Sequence, residues 1–274
     1  MPCALARVRM KRFCSRAISM PTHNLSKIFG PRRIAVIGAS ARVGSVGRTV
    51  LENLQRAGFG GDIFPVNPRH ESLFGRPAFA SIRALPHLTD LAIIATPAET
   101  VPGIITDCGE AGVTGVIILS AGFSEIGSRG REIEAELERS IARYPDMRVI
   151  GPNCLGVMVP ANRLNASFAA GMAKPGRVAF ISQSGALCTS ILDWSLAEGI
   201  GFSYFISIGN ALNVKVGDLI DYLAEDPTTD SIVLYLESVT DARRFMSAAR
   251  AFTRTKPIVV YKAGRFAESA KAAA

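Results

Sequence analysis

The stretch IAVIGAS (34–40), running on into GSVG (44–47), decides the architecture. A β-branched apolar run that breaks at Gly38 reads as a buried strand, and the residues after Val46 read as a helix over 46–57 that stops at Gly58. A Gly-rich turn from a first strand into a helix puts backbone N–H groups at the positive end of a helix dipole, where phosphates bind. The spacing is not G-x-G-x-x-G, because Ser40 takes the place of the second glycine. Arg42 and Arg48 supply cationic side chains suited to a polyanionic ligand. A tight strand–helix turn that binds nothing is the plainer alternative.

Outward from this point, strand-like and helix-like segments alternate. DIFPVNP (62–68), LAIIATP (91–97), GVIILSAG (115–122) and MRVIGPN (147–153) read as strands, with helices near 98–111 and 128–143. Fully apolar strands separated by helices imply a parallel sheet covered on both faces, here a doubly wound α/β unit of about five strands. A loop over 154–176 is expected next. A second parallel α/β series follows, with strands RVAFISQSG (177–185), FSYFISIGN (202–210), SIVLYLES (231–238) and PIVVYKAG (257–264). Its helices fall after Gly185, near 216–224, and over 241–254, where Asp241 is placed to cap. This second unit reads as cut short, since a four-stranded parallel sheet would ordinarily close with a further helix.

Composition narrows the classes. The 274 residues are 48% hydrophobic and 20% charged, and no apolar run is long enough to span a bilayer, so no membrane segment is expected. Of 31 basic and 23 acidic residues, ten basic and no acidic ones fall in 1–51, which leaves the rest close to neutral. The positive net charge therefore belongs to a leader and one loop, and nucleic acid is not an expected partner. Residues 1–23 read as a basic leader or as an upstream start, with the natural chain beginning at Met20. Cys3, Cys14, Cys108, Cys154 and Cys188 form no C-x-x-C pair, so no metal site and a reducing, cytoplasmic setting are expected. Cys154 and Cys188 read as small buried residues.

Three further segments carry chemistry. The second strand ends Val66-Asn67-Pro68 without the acidic residue that would hold a ribose in a dinucleotide dehydrogenase, which weakens an NAD-linked reading. Ser182-Gln183-Ser184-Gly185-Ala186 is a second strand–turn–helix junction, but not the G-x-S-x-G of a hydrolase. The histidines stand only at 23, 70 and 87, none in the second unit, which argues against serine-hydrolase chemistry. Glu237 is a carboxylate at the C-terminal end of an apolar strand, where open α/β sheets place their sites, although a solvent-facing role fits equally.

Taken together, IAVIGAS with GSVG, PVNP (65–68), SAGFSE (120–125), GPNCLG (151–156), SQSGAL (182–187), SIGN (207–210), EDPTTDSIVLYLE (225–237) and KPIVVYKAGR (256–265) give a definite likeness. The chain resembles the α part of nucleoside-diphosphate-forming acyl-CoA synthetases, relatives of the succinyl-CoA synthetase α subunit. The resemblance implies a Rossmann-like CoA-binding domain over 24–168 and a flavodoxin-like ligase domain over 169–274, the latter incomplete at its C-terminal end. It implies that Gly38, Ser40, Arg42, Gly44, Val46 and Gly47 hold CoA phosphates, with Val66, Asn67 and Pro68 on the adenosine side. Ser120, Ala121, Gly122, Pro152 and Asn153 would line the route of the pantetheine arm, and Ser184, Gly185 and Ala186 would cradle a phosphoryl group. Glu237 would pair with a phosphorylated histidine, which the family carries just beyond the segment matching 271–274.

The implied reaction interconverts acyl-CoA, ADP and phosphate with the acid, CoA and ATP. Mg and ADP or ATP would come only through an ATP-grasp β subunit or fused domain, in an oligomeric assembly, so that this chain alone is expected to bind CoA without turning over. Two alternatives share these modules: the regulatory front of a protein lysine acetyltransferase, and an orphan CoA-binding module.

Overall fold

The computed structural model describes residues 24–264; the expected leader, and the segment 271–274 after which the resemblance places the family's histidine, lie outside the described residues. A short helix α1 (Leu25–Phe29) leads into β1 (Arg33–Ile37), α2 (Val46–Arg56) and β2 (Asp62–Val66). A small ribbon, β3 (Ser72–Leu73) and β4 (Arg76–Pro77), precedes β5 (Leu91–Ile94), α3 (Val101–Glu110), β6 (Gly115–Ile118), α4 (Ser128–Ala142) and β7 (Arg148–Ile150). These strands form a five-stranded, all-parallel sheet in the order β2-β1-β5-β6-β7, as the continuous apolar runs predict. Alternate residues of each strand serve opposite faces: Ile34 and Val36 pack toward α1 and α2, Ala35 and Ile37 toward α3 and α4. Asp90 pins the start of this sheet by accepting the Arg32 and Arg33 amides and the Lys27 ammonium. Burial opposes its ionisation, but these donors prevail and hold the carboxyl below its ordinary value.

The stretch expected as a loop is in part a hairpin. β8 (Gly156–Val159) and β9 (Leu164–Ser167) pair antiparallel and join a second sheet made with β10 (Lys174–Ser182), β11 (Gly201–Ser207), β12 (Ser231–Leu236) and β13 (Ile258–Lys262). Its order is β13-β12-β10-β11-β8-β9, so the four expected parallel strands are present and the sheet as a whole is mixed. Residues 156–167, read as part of the first unit, therefore pair with the second. Helix α5 (Gly185–Glu198) covers one face, and α6 (Val216–Ala224) with α7 (Ala242–Phe252) the other. Asp241 caps α7 as expected, accepting the Arg244 amide at 3.0 Å.

One apolar core runs between the two sheets. Leu51 and Leu54 of α2 and Ile28 and Phe29 of α1 share it with Val157, Val159 and Ala166 of the hairpin. The Phe29 ring meets Tyr204 and Tyr222 at 5.3 and 5.0 Å. In its middle, the buried Asn53 amide of α2 donates to the carbonyls of Ser167 and Ala169 at 2.9 and 2.8 Å. Replacing Asn53 by Ala strips both carbonyls of that donor in a buried place, so Asn53→Ala is expected to lower stability by about 2–4 kcal/mol. Denaturant unfolding measures this; a loss of less than about 0.5 kcal/mol, the scale of an ordinary surface change, would show that the bridge is dispensable.

Candidate functional site

In the first sheet β1 is followed on one side by β2 and on the other by β5, so the order reverses at the C-terminal end of β1. Ligands of open α/β sheets bind in the crevice at such a reversal. Gly38 sits there with φ +89°, and a side chain on it would strike Ala95. Gly47, in the first turn of α2, lies so close that a Cβ would overlap the Gly38 carbonyl oxygen. The two glycines let the helix start against the strand end, with its N-terminal amides facing the crevice. Gly44 has φ +76° and open space around it, while Arg42, Val43 and Val46 are exposed on the same turn. Ser40 closes the turn from within, accepting the Arg42 amide at 3.0 Å.

Arg48 departs from the sequence reading. Its guanidinium is held by Glu52 at 2.7 Å and donates to the Ala41 carbonyl at 2.7 Å, with Phe74 stacked 5.3 Å away. It braces the turn, and Arg42 is the exposed cation of the pair. Beside the turn, Val66, Asn67 and Pro68 line a cavity of about 470 Å³ together with Ser81, Thr96 and Thr100. That volume lies within the range of small-molecule pockets. Asn67 ties the cavity wall to the turn by donating to the Ala39 carbonyl at 2.7 Å.

The pantetheine-route residues come together at the ends of β6 and β7. The Asn153 amide donates to the Ser120 carbonyl at 2.9 Å, next to a cis Gly151–Pro152 bond. Ser120 Oγ is buried without a hydrogen-bond partner. The Glu125 carboxylate binds the Gly122 and Phe123 amides at 2.6 and 3.1 Å. Burial works against its charge, yet these amides and the Asn210 side chain hold its pKa below the ordinary value.

Ser182, Ser184 and Glu237 meet in the second sheet, where β10 lies between β11 and β12 and the order again reverses. Ser184 is the N-cap of α5, accepting the Leu187 amide at 3.4 Å, and Gly185 and Ala186 form the first turn with no side chain large enough to block it. The buried Ser182 hydroxyl holds both backbone groups of Ser184 at 3.0 Å. Gln183 reaches across to β12, its side-chain oxygen accepting the Glu237 and Ser238 amides at 2.6 and 2.9 Å. Glu237 thus sits beside the start of α5, half-buried; its carboxyl is pushed up by burial, against a lowering pull from Lys262. The Ile208 amide donates to Ser182 within the second sheet, and two residues on the Asn210 amide donates to the Pro152 carbonyl at 3.0 Å, across the seam to the edge strand of the first sheet.

Gln183 and Asn210 were missed as site residues, since their partners lie 54 and 57 or more residues away. Thr96 and Thr100 had one signal, their place just after an apolar strand. The cysteines read as buried are so: Cys154 and Cys188 are 3% and 0% exposed, with burial pushing their thiols up to about 12 and about 11.

The fold and crevice define a CoA-binding domain followed by a ligase-type flavodoxin domain: residues 32–160 match the family described as CoA binding domain, and residues 175–274 the succinyl-CoA ligase like flavodoxin domain. The chain carries these two domains in the order named, and over about 90% of its length it is similar to the α part of ADP-forming acyl-CoA ligases, of whose α subunits it spans little more than half. It is 44% identical over 250 residues to the α subunit of acetate–CoA ligase [ADP-forming] II from Pyrococcus furiosus, covering 91% of this chain and 54% of that one. Acetate–CoA ligase [ADP-forming] I of Archaeoglobus fulgidus is 42% identical over 249 residues, covering 91% of this chain and 36% of that protein. Among solved structures, acetyl-coenzyme A synthetase 1 of Ca. Korarchaeum cryptofilum, in complex with phosphate and ADP, superposes with a TM-score of 0.86 at 39% identity, covering 91% of this chain and 53% of that chain. The chain thus spans about half or less of the length of these relatives.

Because burial raises the Glu237 pKa, its ionised form is disfavoured in the fold, and that cost is absent below the ordinary carboxyl range and present above the raised value. Glu237→Gln is therefore expected to gain stability relative to the unmodified chain as pH rises from about 4 to about 8. Denaturant midpoints across this range check the sign; a difference that shrinks with rising pH would contradict it.

Proposed function

We propose that the chain is the CoA-binding and ligase-like part of an ADP-forming acyl-CoA ligase that acts on acetate or another carboxylic acid. The observation that carries this reading is the pair of helix N-termini, α2 and α5, at the switch points of two sheets whose C-terminal ends are hydrogen-bonded together. CoA carries phosphates at one end and a reactive thiol at the other, and a site of this length has a place for each.

In this reading the turn formed by Gly38, Ser40, Arg42, Gly44, Val46 and Gly47 takes the CoA phosphates through the α2 amides and the Arg42 side chain. The 470 Å³ cavity at Val66–Pro68 takes the adenosine. The arm passes Ser120, Ala121 and Gly122, then Pro152 and Asn153. Ser184, Gly185 and Ala186 stabilise a phosphoryl group by the positive end of the α5 dipole. A phosphorylatable histidine, when present, would carry the phosphoryl group between acyl phosphate and ADP. Glu237 is placed to hold one nitrogen of such an imidazole and leave the other nucleophilic. An ATP-grasp subunit or fused domain is proposed to bring ADP or ATP with Mg, in a cytoplasmic oligomer. Among the described residues no helix is long and apolar enough to cross a membrane.

Titration calorimetry tests the CoA half of this directly. The chain is expected to bind CoA and to ignore NAD, and Arg42→Ala to weaken CoA binding roughly tenfold, the worth of one hydrogen bond to a charged group. Binding of NAD with indifference to CoA would replace this function with an oxidoreductase.

A further inference from the structure

Asn210 belongs to the second unit, three residues past the end of β11, yet its side chain bonds groups of the first. Its Nδ2 donates to Glu134 Oε2 at 2.8 Å and stands 3.2 and 3.3 Å from Ser124 Oγ and Glu125 Oε2. Its Oδ1 accepts from Asn153 Nδ2 at 3.4 Å. The two carboxylates in turn hold the turn that follows Ser120. Glu125 takes the Gly122 and Phe123 amides, and Glu134 takes the Ser124 amide at 3.3 Å and its hydroxyl at 2.8 Å. Three successive backbone amides are thus bound by two carboxylates that converge on a single side-chain nitrogen. Two carboxylates this close repel one another, and a shared donor offsets the repulsion. Without it they would separate, and the amides they hold would move with them. Gly209 sets the approach: it has φ +54°, and a Cβ there would overlap the Pro152 carbonyl oxygen, so the SIGN turn lies directly on the cis-proline turn.

We propose that Asn210 is a positioning residue that fixes the Ser120–Gly122 turn and Asn153 for the pantetheine arm of CoA, so that the second unit sets how the first grips the thiol end of its ligand. The proposal rests on the CoA reading above. It separates the two ends of the ligand: the adenosine cavity and the Gly38–Gly47 turn make no contact with Asn210 in its hydrogen-bonding set, whereas the arm's route depends on it.

The test is calorimetric titration of the full 274-residue chain, and of its Asn210→Ala and Asn210→Asp variants, with CoA and with 3′-phosphoadenosine 5′-diphosphate, the part of CoA that lacks pantetheine. Asn210→Asp keeps the size and the acceptor for Asn153 but replaces the shared donor with a third negative charge, so it serves if the smaller variant does not fold. Both variants are expected to weaken CoA binding on the order of fivefold to tenfold, a common size for coupling between sites, and to bind the pantetheine-free fragment as the unmodified chain does. Equal weakening toward both ligands would show a general structural role and overturn the proposal, as would unchanged affinity for CoA. Failure of the unmodified chain to bind CoA would overturn the underlying reading, and this proposal with it.

Discussion

The two sheets meet through backbone hydrogen bonds between the end of β7 and the segment after β11, and that seam sets how the candidate site residues of one unit lie against those of the other. Asn210, Leu212 and Val214 donate their amides to the carbonyls of Pro152, Gly151 and Val149. A ladder of this kind holds the C-terminal edges of both sheets together. Since α/β sheets present helix N-termini and ligand crevices at those edges, the seam brings two anion-friendly ends together, and in the proposed reading they serve one elongated ligand. A phosphate-rich ligand with a long arm has no such match to either sheet alone.

The seam would be a hinge if it were the only attachment. It is not, because α1 and α2 wedge their apolar faces between the first sheet and the β8–β9 hairpin, with Asn53 tying helix to hairpin. The apolar core supplies most of the stabilisation and no direction. The buried amide adds direction: its two hydrogen bonds fix how α2 sits, and removing it leaves two carbonyls unsatisfied at depth, which is where its cost arises. As α2 also begins at the Gly38–Gly47 contact, the same helix fixes both the phosphate-facing turn at one end and the packing between units along its length.

What the sequence made legible follows from the same physics. Strands buried on both faces are continuous apolar runs, so LAII, GVII and IAVI stood out and the parallel character of the first unit could be read. The hairpin escaped because its strands are four residues each, split by the Pro160–Asn162 turn, and β9 buries Asn165 and Ser167 where an apolar pattern was looked for. At the site, glycines at strand ends marked both junctions, because close backbone approach leaves few other choices. Side chains whose role depends on distant partners left no local sign: Gln183 bonding the Glu237 amide, and Asn210 bonding two glutamates. Arg48 was the intermediate case, since Glu52 one helical turn on already hinted that its charge was committed.

Amide hydrogen exchange of the chain with and without CoA tests most directly whether the two units form one site. The account predicts slowed exchange in the Gly38–Gly47 turn and in residues 120–125 of the first unit, together with residues 208–214 across the seam, while β13 stays unchanged. Protection confined to the first unit, with the seam amides exchanging as before, would contradict a shared site and leave the second unit a passenger in CoA binding.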